Sequence, residues 1–207
     1  MPSPRDTLDL GSVAFRRLET GDLPLMYRWL NGNPLVNDMF AHGRPVLYEE
    51  MAAKYTARIR GEKPTAPYLI LYGGTPIGYI QTYLWRDYPD YSCHLKLEDE
   101  AASLDLFIGE EDYLHKGLGT HILRSFLRQV VFAQPSVDSC VLTPEVRNQG
   151  ALRAYEKAGF KSLRRMDDHP DEELPIMLMR IGREDALRTP PISRREAFSS
   201  PDDCLQG

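Results

Sequence analysis

The sequence has 207 residues and a mass of 23.6 kDa, which is enough for one compact domain with extensions. Its formal net charge of −5 and its pI near 5.6 argue against a general binder of nucleic acid or anionic membranes, because such proteins need an excess of Lys and Arg at the contact surface. An acidic chain suits a cationic substrate better, although a solvated acidic surface explains the same balance.

The cysteines and the N-terminus indicate a cytoplasmic protein. Cys93, Cys140 and Cys204 lack metal-like or redox-motif spacing, so reduced thiols are expected. The five histidines show no metal-like spacing either, and no metal is predicted. Residues 1–11 are polar and lack the basic and apolar parts of a secretion signal. No window approaches the roughly 18 apolar residues of a membrane helix, so no membrane contact is expected.

The first third of the chain predicts a strand followed by two helices. Residues 13–18 can form a first strand. Residues 23–30 have helical periodicity, with Asp22 as a possible cap. Residues 35–45 are predicted to be a loop, and residues 48–60 a second helix. Both helices precede the central strands, where they could form one wall of a substrate cleft.

A hairpin and an acidic segment come next. Residues 68–72 and 77–85 predict two strands joined by a turn that contains Gly73 and Gly74. Residues 86–102 are polar and acidic and predict a long loop. Long ordered loops often carry function, although a solvated loop fits the composition equally well.

The most informative stretch is residues 104–120, where an apolar strand passes through a polar turn into a helix. Gly117 and Gly119 stand where the helical pattern begins. Glycine lets the backbone approach a ligand closely, and the unpaired amides at a helix N-terminus attract anions. The stretch predicts a pyrophosphate site, with a plain structural turn as the alternative. Neither Gly-x-Gly-x-x-Gly nor Gly-x-x-x-x-Gly-Lys-Ser/Thr occurs in the chain, which weakens dinucleotide and nucleoside-triphosphate interpretations.

The C-terminal part predicts a strand over residues 136–142, a helix through Tyr155 that ends at Gly159, and a final hairpin. The hairpin strands are residues 160–166 and 174–181. Together the elements predict a sheet covered by helices on both faces. We expect a flexible lead-in over residues 1–11, one domain over residues 12–182 and a disordered tail over residues 183–207.

Asp105 stands out because it interrupts an apolar strand. A carboxylate is costly to bury unless it is paired or functional. It is therefore a candidate base or a group that orients an ammonium ion. The alternative is a structural aspartate satisfied by a nearby arginine or by backbone amides.

Two segments resemble the signatures of the GNAT acyltransferases. The segment from Leu114 to Gly119 resembles the Gln/Arg-x-x-Gly-x-Gly/Ala coenzyme A loop, with Leu114 departing from Gln/Arg. The segment from Asn148 to Phe160 resembles Asn-x-x-Ala-x-x-x-Tyr-x-x-x-Gly-Phe. The resemblance implies an α/β (α+β) GNAT fold, with a mixed central sheet and helices on both faces, and acetyl-CoA as co-substrate.

The resemblance also assigns roles to residues. Direct acyl transfer needs a bound thioester, a polarised carbonyl, an uncharged amine and a proton for the departing thiolate. Tyr155 matches the tyrosine that protonates the coenzyme A sulfur, so Tyr155 and Asp105 are the predicted catalytic residues. The implied cofactor-binding residues are Phe107, Ile108, Gly109, His115, Lys116, Gly117, Leu118, Gly119, Thr120, Asn148 and Tyr155.

Within that superfamily, three stretches are similar to the aminoglycoside 6'-N-acetyltransferases: residues 25–31, 76–83 and 104–107. The similarity implies four substrate-binding residues: Gln81, Tyr83, Asp90 and Asp105. A further acidic residue of that family would fall on Leu142 or Thr143, and neither is acidic. Tryptophans of the family's cleft are replaced, in one loop by Asp38, Met39 and Phe40 and in another by Ser92 and Cys93.

The predicted function is therefore acetyl transfer from acetyl-CoA directly to a primary amine of a cationic amino sugar. One alternative is a GNAT enzyme that acts on a siderophore-precursor lysine or hydroxylysine, or on a peptide amine. A second alternative is a non-catalytic module that binds coenzyme A. The sequence does not predict the oligomeric state.

Overall fold

The computed structural model describes residues 12–97 and 100–188. In these ranges seven strands form one sheet with the order β1-β2-β3-β4-β5-β7-β6. The strands are β1 (Val13–Arg17), β2 (Thr65–Tyr72), β3 (Thr75–Leu84), β4 (Ala101–Ile108), β5 (Ser139–Leu142), β6 (Lys161–Met166) and β7 (Ile176–Gly182). The helices are α1 (Leu23–Gly32), α2 (Pro34–Ala41), α3 (Tyr48–Ile59), α4 (Pro89–Ser92), α5 (Leu118–Phe126), α6 (Gln149–Ala158) and α7 (Arg183–Arg188). Helix α5 continues into a π-helical segment, Leu127–Val131.

The sheet opens between its two central strands. Strands β1 to β4 pair antiparallel in chain order, whereas β4 and β5 run parallel and pair only at Ala101 with Ser139 and at Ala102 with Cys140. From Ser103 onward, β4 has no strand partner on its β5 side within the described ranges. The two strands therefore diverge, and the β4 edge offers backbone groups to a ligand.

The alternation of side chains along β4 assigns its residues to different faces of the sheet. Leu104 and Ile108 pack in the cluster that contains α5. Phe107 packs on the opposite face, in the cluster formed with α1, α2 and α3. Asp105 has the same parity as Phe107, so its carboxyl group faces α3. The GNAT-like layered sheet predicted from the sequence is confirmed.

The predicted loop at residues 35–45 is wrong, because it contains α2. The Asn33 side chain accepts hydrogen bonds from the amides of Leu35 and Val36, at 3.1 and 3.3 Å. Pro34 occupies the first turn, where its missing N–H costs nothing. Asn33 and Pro34 therefore start a helix as well as ending α1.

Two other boundaries also differ from the prediction. The predicted loop at residues 86–102 includes α4 and the first residues of β4. Regular structure continues past residue 182 as α7, and Arg183 holds this helix by donating to the carbonyls of Phe132 and Val137, at 2.8 and 2.9 Å. The predicted lead-in (1–11), Glu98, Asp99 and the rest of the predicted tail (189–207) lie outside the described residues.

None of the helices in the described ranges is long and apolar enough to cross a membrane.

Gly78 allows the close approach of β3 to β4. A Cβ atom at this position would lie 2.3 Å from the carbonyl oxygen of Phe107 and 3.0 Å from the Cα atom of Ile108. Backbone atoms cannot move aside as a side chain can. We expect Gly78→Ala to lower the free energy of unfolding by about 2 kcal/mol or more in urea denaturation.

Gly182→Ala is the matched control, because Gly182 also lies in a strand but a Cβ atom at this position would meet no neighbouring atom within 4 Å. It should change the free energy of unfolding by no more than about 0.5 kcal/mol. Equal effects of the two substitutions would contradict the close-approach explanation.

Candidate active site

Asp105 lies in a hydrogen-bonded chain that crosses from β4 to α3. Gln81 is its direct partner in the β3–β4 ladder, and Gln81 Nε2 donates to Asp105 Oδ2 at 2.6 Å. Arg58 Nη1 and the Tyr79 hydroxyl donate to Gln81 Oε1, at 2.8 and 2.7 Å. Because the amide oxygen already accepts from two donors, the amide nitrogen must point at the carboxylate.

The surroundings of Asp105 raise its pKa above the ordinary aspartate value. Burial is the largest cause, and the hydrogen bond from Gln81 opposes it. The positive charges of Arg58 and Lys54 also lower the pKa, whereas the negative charge of Glu172 raises it. A carboxylate with a raised pKa is a better proton acceptor than a solvated one.

Glu172 is the acidic residue that the sequence interpretation missed. It lies in the β6–β7 loop, half-buried, and accepts a hydrogen bond of 2.6 Å from the Tyr91 hydroxyl. The same hydroxyl lies 3.3 Å from Thr143 Oγ1. Glu172 therefore places a carboxylate near Thr143, one of the two positions where the family similarity predicted an acidic residue. No local pattern marked it, because several acidic residues share this loop and the contact with Tyr91 joins distant segments.

Asp90, predicted to bind the substrate, is exposed on α4. Its neighbour Tyr91 instead enters the site, with its ring stacked on Trp85 at a centroid distance of 5.2 Å.

Two tyrosines near Asp105 stay protonated. Burial raises the pKa of Tyr155 on α6, and the charge of Asp105 raises it further. Burial also raises the pKa of Tyr83 on β3, again with a contribution from Asp105. Both phenols can therefore donate hydrogen bonds but are poor bases at neutral pH.

The glycine turn has the backbone conformation expected of an anion cradle. Gly117 is the N-cap of α5 with φ of 75°, a left-handed conformation that favours glycine. The nearest atom to a Cβ at Gly119 would be Ala154 Cβ at 3.9 Å, so the turn is open. The first amides of α5, at Leu118, Gly119 and Thr120, have no partner within the helix. His115 and Lys116 are exposed beside them.

Gly109, a predicted cofactor residue that directly follows β4, has a packing role. Its N–H donates to Ile77 O at 2.8 Å, and its carbonyl accepts from Asn33 Nδ2 at 3.2 Å. A Cβ atom there would lie 2.3 Å from the Trp29 ring. The Phe107 side chain is buried on the same side, 4.9 Å between ring centroids from Phe40. Ile108 is half-buried and packs toward α5.

The Asn148 side chain, predicted to contact the cofactor, makes two contacts within the protein. Its side-chain oxygen caps α6 by accepting from Ala151 N at 3.0 Å. Its side-chain nitrogen donates to Met39 Sδ at 3.4 Å. Both polar groups of the side chain are occupied, so the asparagine in this signature orders the start of α6.

Across residues 12–97 and 100–188, no group of three or more His, Cys, Asp or Glu side chains is placed to hold a metal ion.

Comparison with known proteins identifies the family. The family model described as an acetyltransferase (GNAT) domain matches residues 19–168. The aminoglycoside N(6')-acetyltransferase type 1 of Klebsiella pneumoniae is 30% identical over 151 residues, which is 72% of this chain and 74% of the relative. This chain belongs to the GNAT acetyltransferase family.

Two further comparisons bear on this acetyltransferase. The crystal structure of the aminoglycoside acetyltransferase AAC(6')-Ib in complex with coenzyme A and kanamycin is 28% identical to it, with a TM-score of 0.75. That match covers 86% of this chain and 99% of the other. The N(6)-hydroxylysine O-acetyltransferase of Escherichia coli is 25% identical over 144 residues, which is 68% of this chain but 43% of that enzyme.

The raised pKa of Asp105 has a consequence for stability. A carboxyl group whose folded-state pKa lies above its unfolded value of about 3.9 destabilises the fold when it is ionised, and that cost disappears as the pH falls through the folded-state pKa. We expect Asp105→Asn, which keeps an acceptor for Gln81, to raise the melting temperature at pH 7.5 by a few degrees. The gain should shrink as the pH is lowered.

Asp90→Asn is the control, since Asp90 is exposed and the change should have little effect at either pH. A lower melting temperature for Asp105→Asn at pH 7.5 would show that the carboxylate is a net stabilising group.

Proposed function

We propose that this GNAT acetyltransferase transfers acetyl from acetyl-CoA directly to a primary amine of an aminoglycoside, at the 6' position. The observation that carries the proposal is the half-buried carboxylate of Asp105, held by Gln81 beside the open β4 edge with Glu172 nearby. Two carboxylates in a partly enclosed site favour a ligand with several ammonium groups. The similarity to enzymes named for this activity supports the choice of acceptor.

The glycine turn fits the pyrophosphate of coenzyme A. The amides of Leu118, Gly119 and Thr120 would hold it, helped by the positive end of the α5 dipole. The free β4 edge from Ser103 to Ile108 would lie along the pantetheine arm. When bound, acetyl-CoA supplies a thioester carbonyl open to attack by an amine.

The side chains of the site divide the proton transfers between them. Asp105 takes a proton from the acceptor ammonium, which leaves the nitrogen lone pair free to attack. Tyr155 holds its proton over the working pH range because burial raises its pKa, so it can donate this proton to the leaving sulfur. The nitrogen loses its second proton after the attack, and this proton, passed through solvent, restores the Tyr155 phenol. Tyr83 and Gln81 line the acceptor side through their positions on β3.

Hydroxylysine is a second candidate acceptor, favoured by the similarity to the hydroxylysine O-acetyltransferase. The acidic surroundings of Asp105 suit its ammonium group, although a single amine uses less of the negative charge. We also propose a cytoplasmic location, since cysteines without disulfide-like spacing suit a reducing compartment.

The direct test is thiol release from acetyl-CoA with a panel of acceptors: kanamycin, tobramycin, a gentamicin methylated at the 6' amine, spermidine, lysine and hydroxylysine. We expect saturable turnover with kanamycin and tobramycin and much less with the methylated gentamicin. Turnover with lysine-like amines alone would replace the proposed acceptor. Acetyl-CoA binding in calorimetry without turnover of any amine would indicate a non-catalytic module.

The role of Tyr155 predicts a selective loss of turnover. Tyr155→Phe keeps the ring and its packing 5.8 Å from the Phe160 ring but removes the proton. We expect kcat to fall about 100-fold with little change in acetyl-CoA binding. Tyr72→Phe removes a phenol from the end of β2, away from Asp105, and should leave kcat unchanged. A full kcat in Tyr155→Phe would contradict the assigned role.

A further inference from the structure

Arg58 is a charged residue of α3 that nothing in the signatures marks. It is half-buried, its guanidinium donates to Gln81 Oε1 at 2.8 Å, and its positive charge acts on Asp105. The guanidinium also lies over the Tyr55 ring, 5.2 Å from the centroid. Arg58 therefore links α3 to the Asp105 carboxylate through the side-chain amide of Gln81.

We propose that Arg58 is a positioning residue for acyl transfer, which orients Gln81 toward Asp105 and places a positive charge next to the Asp105–Gln81 pair. The inference rests on the proposed function for its effect on turnover, but not for its effect on the titration of Asp105.

The hydrogen bonds on Gln81 explain the orientation. A primary amide can present either its oxygen or its nitrogen to a neighbour, and only the nitrogen can donate to a carboxylate. Arg58 carries donors and no acceptor, so its contact with Gln81 is possible only if the oxygen faces α3. The nitrogen then faces Asp105, and Asp105 Oδ1 stays available to an ammonium group. Tyr79 donates to the same oxygen but carries no charge.

The positive charge of Arg58 lowers the pKa of Asp105, whereas burial and the charge of Glu172 raise it. Lys54, on the same helix, also favours the ionised carboxylate, whereas Glu172 on the β6–β7 loop disfavours it. The other titratable groups that sense Asp105 are neutral at pH 7: Tyr55, Tyr79, Tyr83, Tyr91, Cys140 and Tyr155. Arg58 is therefore a cation that is hydrogen-bonded to Gln81, and it would act on the substrate through Gln81 and Asp105.

The test compares three variants that separate charge from hydrogen bonding. Arg58→Lys keeps the charge, Arg58→Gln keeps a donor without the charge, and Tyr79→Phe removes only the second donor to Gln81. Titration of the Asp105 carboxyl by ¹³C NMR, assigned with Asp105→Asn, reports on the charge without any turnover. The pH dependence of kcat/KM with kanamycin reports on catalysis.

We expect Arg58→Gln to move the Asp105 titration, and with it the acidic limb of kcat/KM, to higher pH. At the acidic end of the profile kcat/KM should fall about tenfold, and the loss should shrink as the pH rises and the carboxylate becomes ionised in both proteins. Arg58→Lys should restore most of the profile. Tyr79→Phe should leave both the titration and the acidic limb in place.

Arg60→Gln is the matched control, because Arg60 follows α3 and is exposed beside Glu62. It removes one positive charge without contacting Gln81, so its profile should match the wild type. Arg58→Gln with an unchanged Asp105 titration would overturn the proposal, as would a uniform loss at all pH values. If no amine is turned over, the function proposal fails, while the NMR titration still decides the role of Arg58.

Discussion

The site depends on one costly constraint, which is an ionisable carboxyl group on the inward-facing side of a central strand. Asp105 occupies a position that in an ordinary sheet would carry an apolar side chain. The protein offsets the cost of burial with Gln81 directly opposite in the ladder, and with Arg58 and Lys54 from α3. These groups reduce the rise in its pKa without cancelling it. The result is a carboxylate suited to accepting a proton from an ammonium group.

Strand β4 connects the proposed acceptor site at Asp105 with the proposed coenzyme A site at the start of α5. Its alternate residues anchor it in two hydrophobic clusters, so its position is fixed from both faces. Its divergence from β5 after Ala102 leaves an edge open to a ligand, and the glycine turn that leads into α5 follows directly in the chain. The proposed anion site and the Asp105 carboxylate thus lie on one continuous segment of the chain.

Much of this could be predicted from the sequence because local signals were strong. The periodicity of α1, α3 and α5 and the apolar strand around Asp105 were sufficient to predict a sheet covered by helices and the main candidate residue. The GNAT fold itself was implied by the resemblance of two segments to the family signatures. Other features depend on contacts between distant segments. Glu172 is hydrogen-bonded to the site through the Tyr91 hydroxyl, and Arg58 through Gln81. Asn148 matched a signature, but its side chain caps a helix, a role that a pattern match alone does not distinguish from ligand binding.

A crystal structure of this protein with coenzyme A and kanamycin would show whether Asp105 receives the amine of the acceptor. We expect an amine nitrogen of the aminoglycoside within hydrogen-bond distance of Asp105 Oδ1, with Gln81 still donating to Oδ2. Kanamycin bound elsewhere, with Asp105 contacted by protein groups alone, would contradict this expectation and would leave the aspartate a structural role.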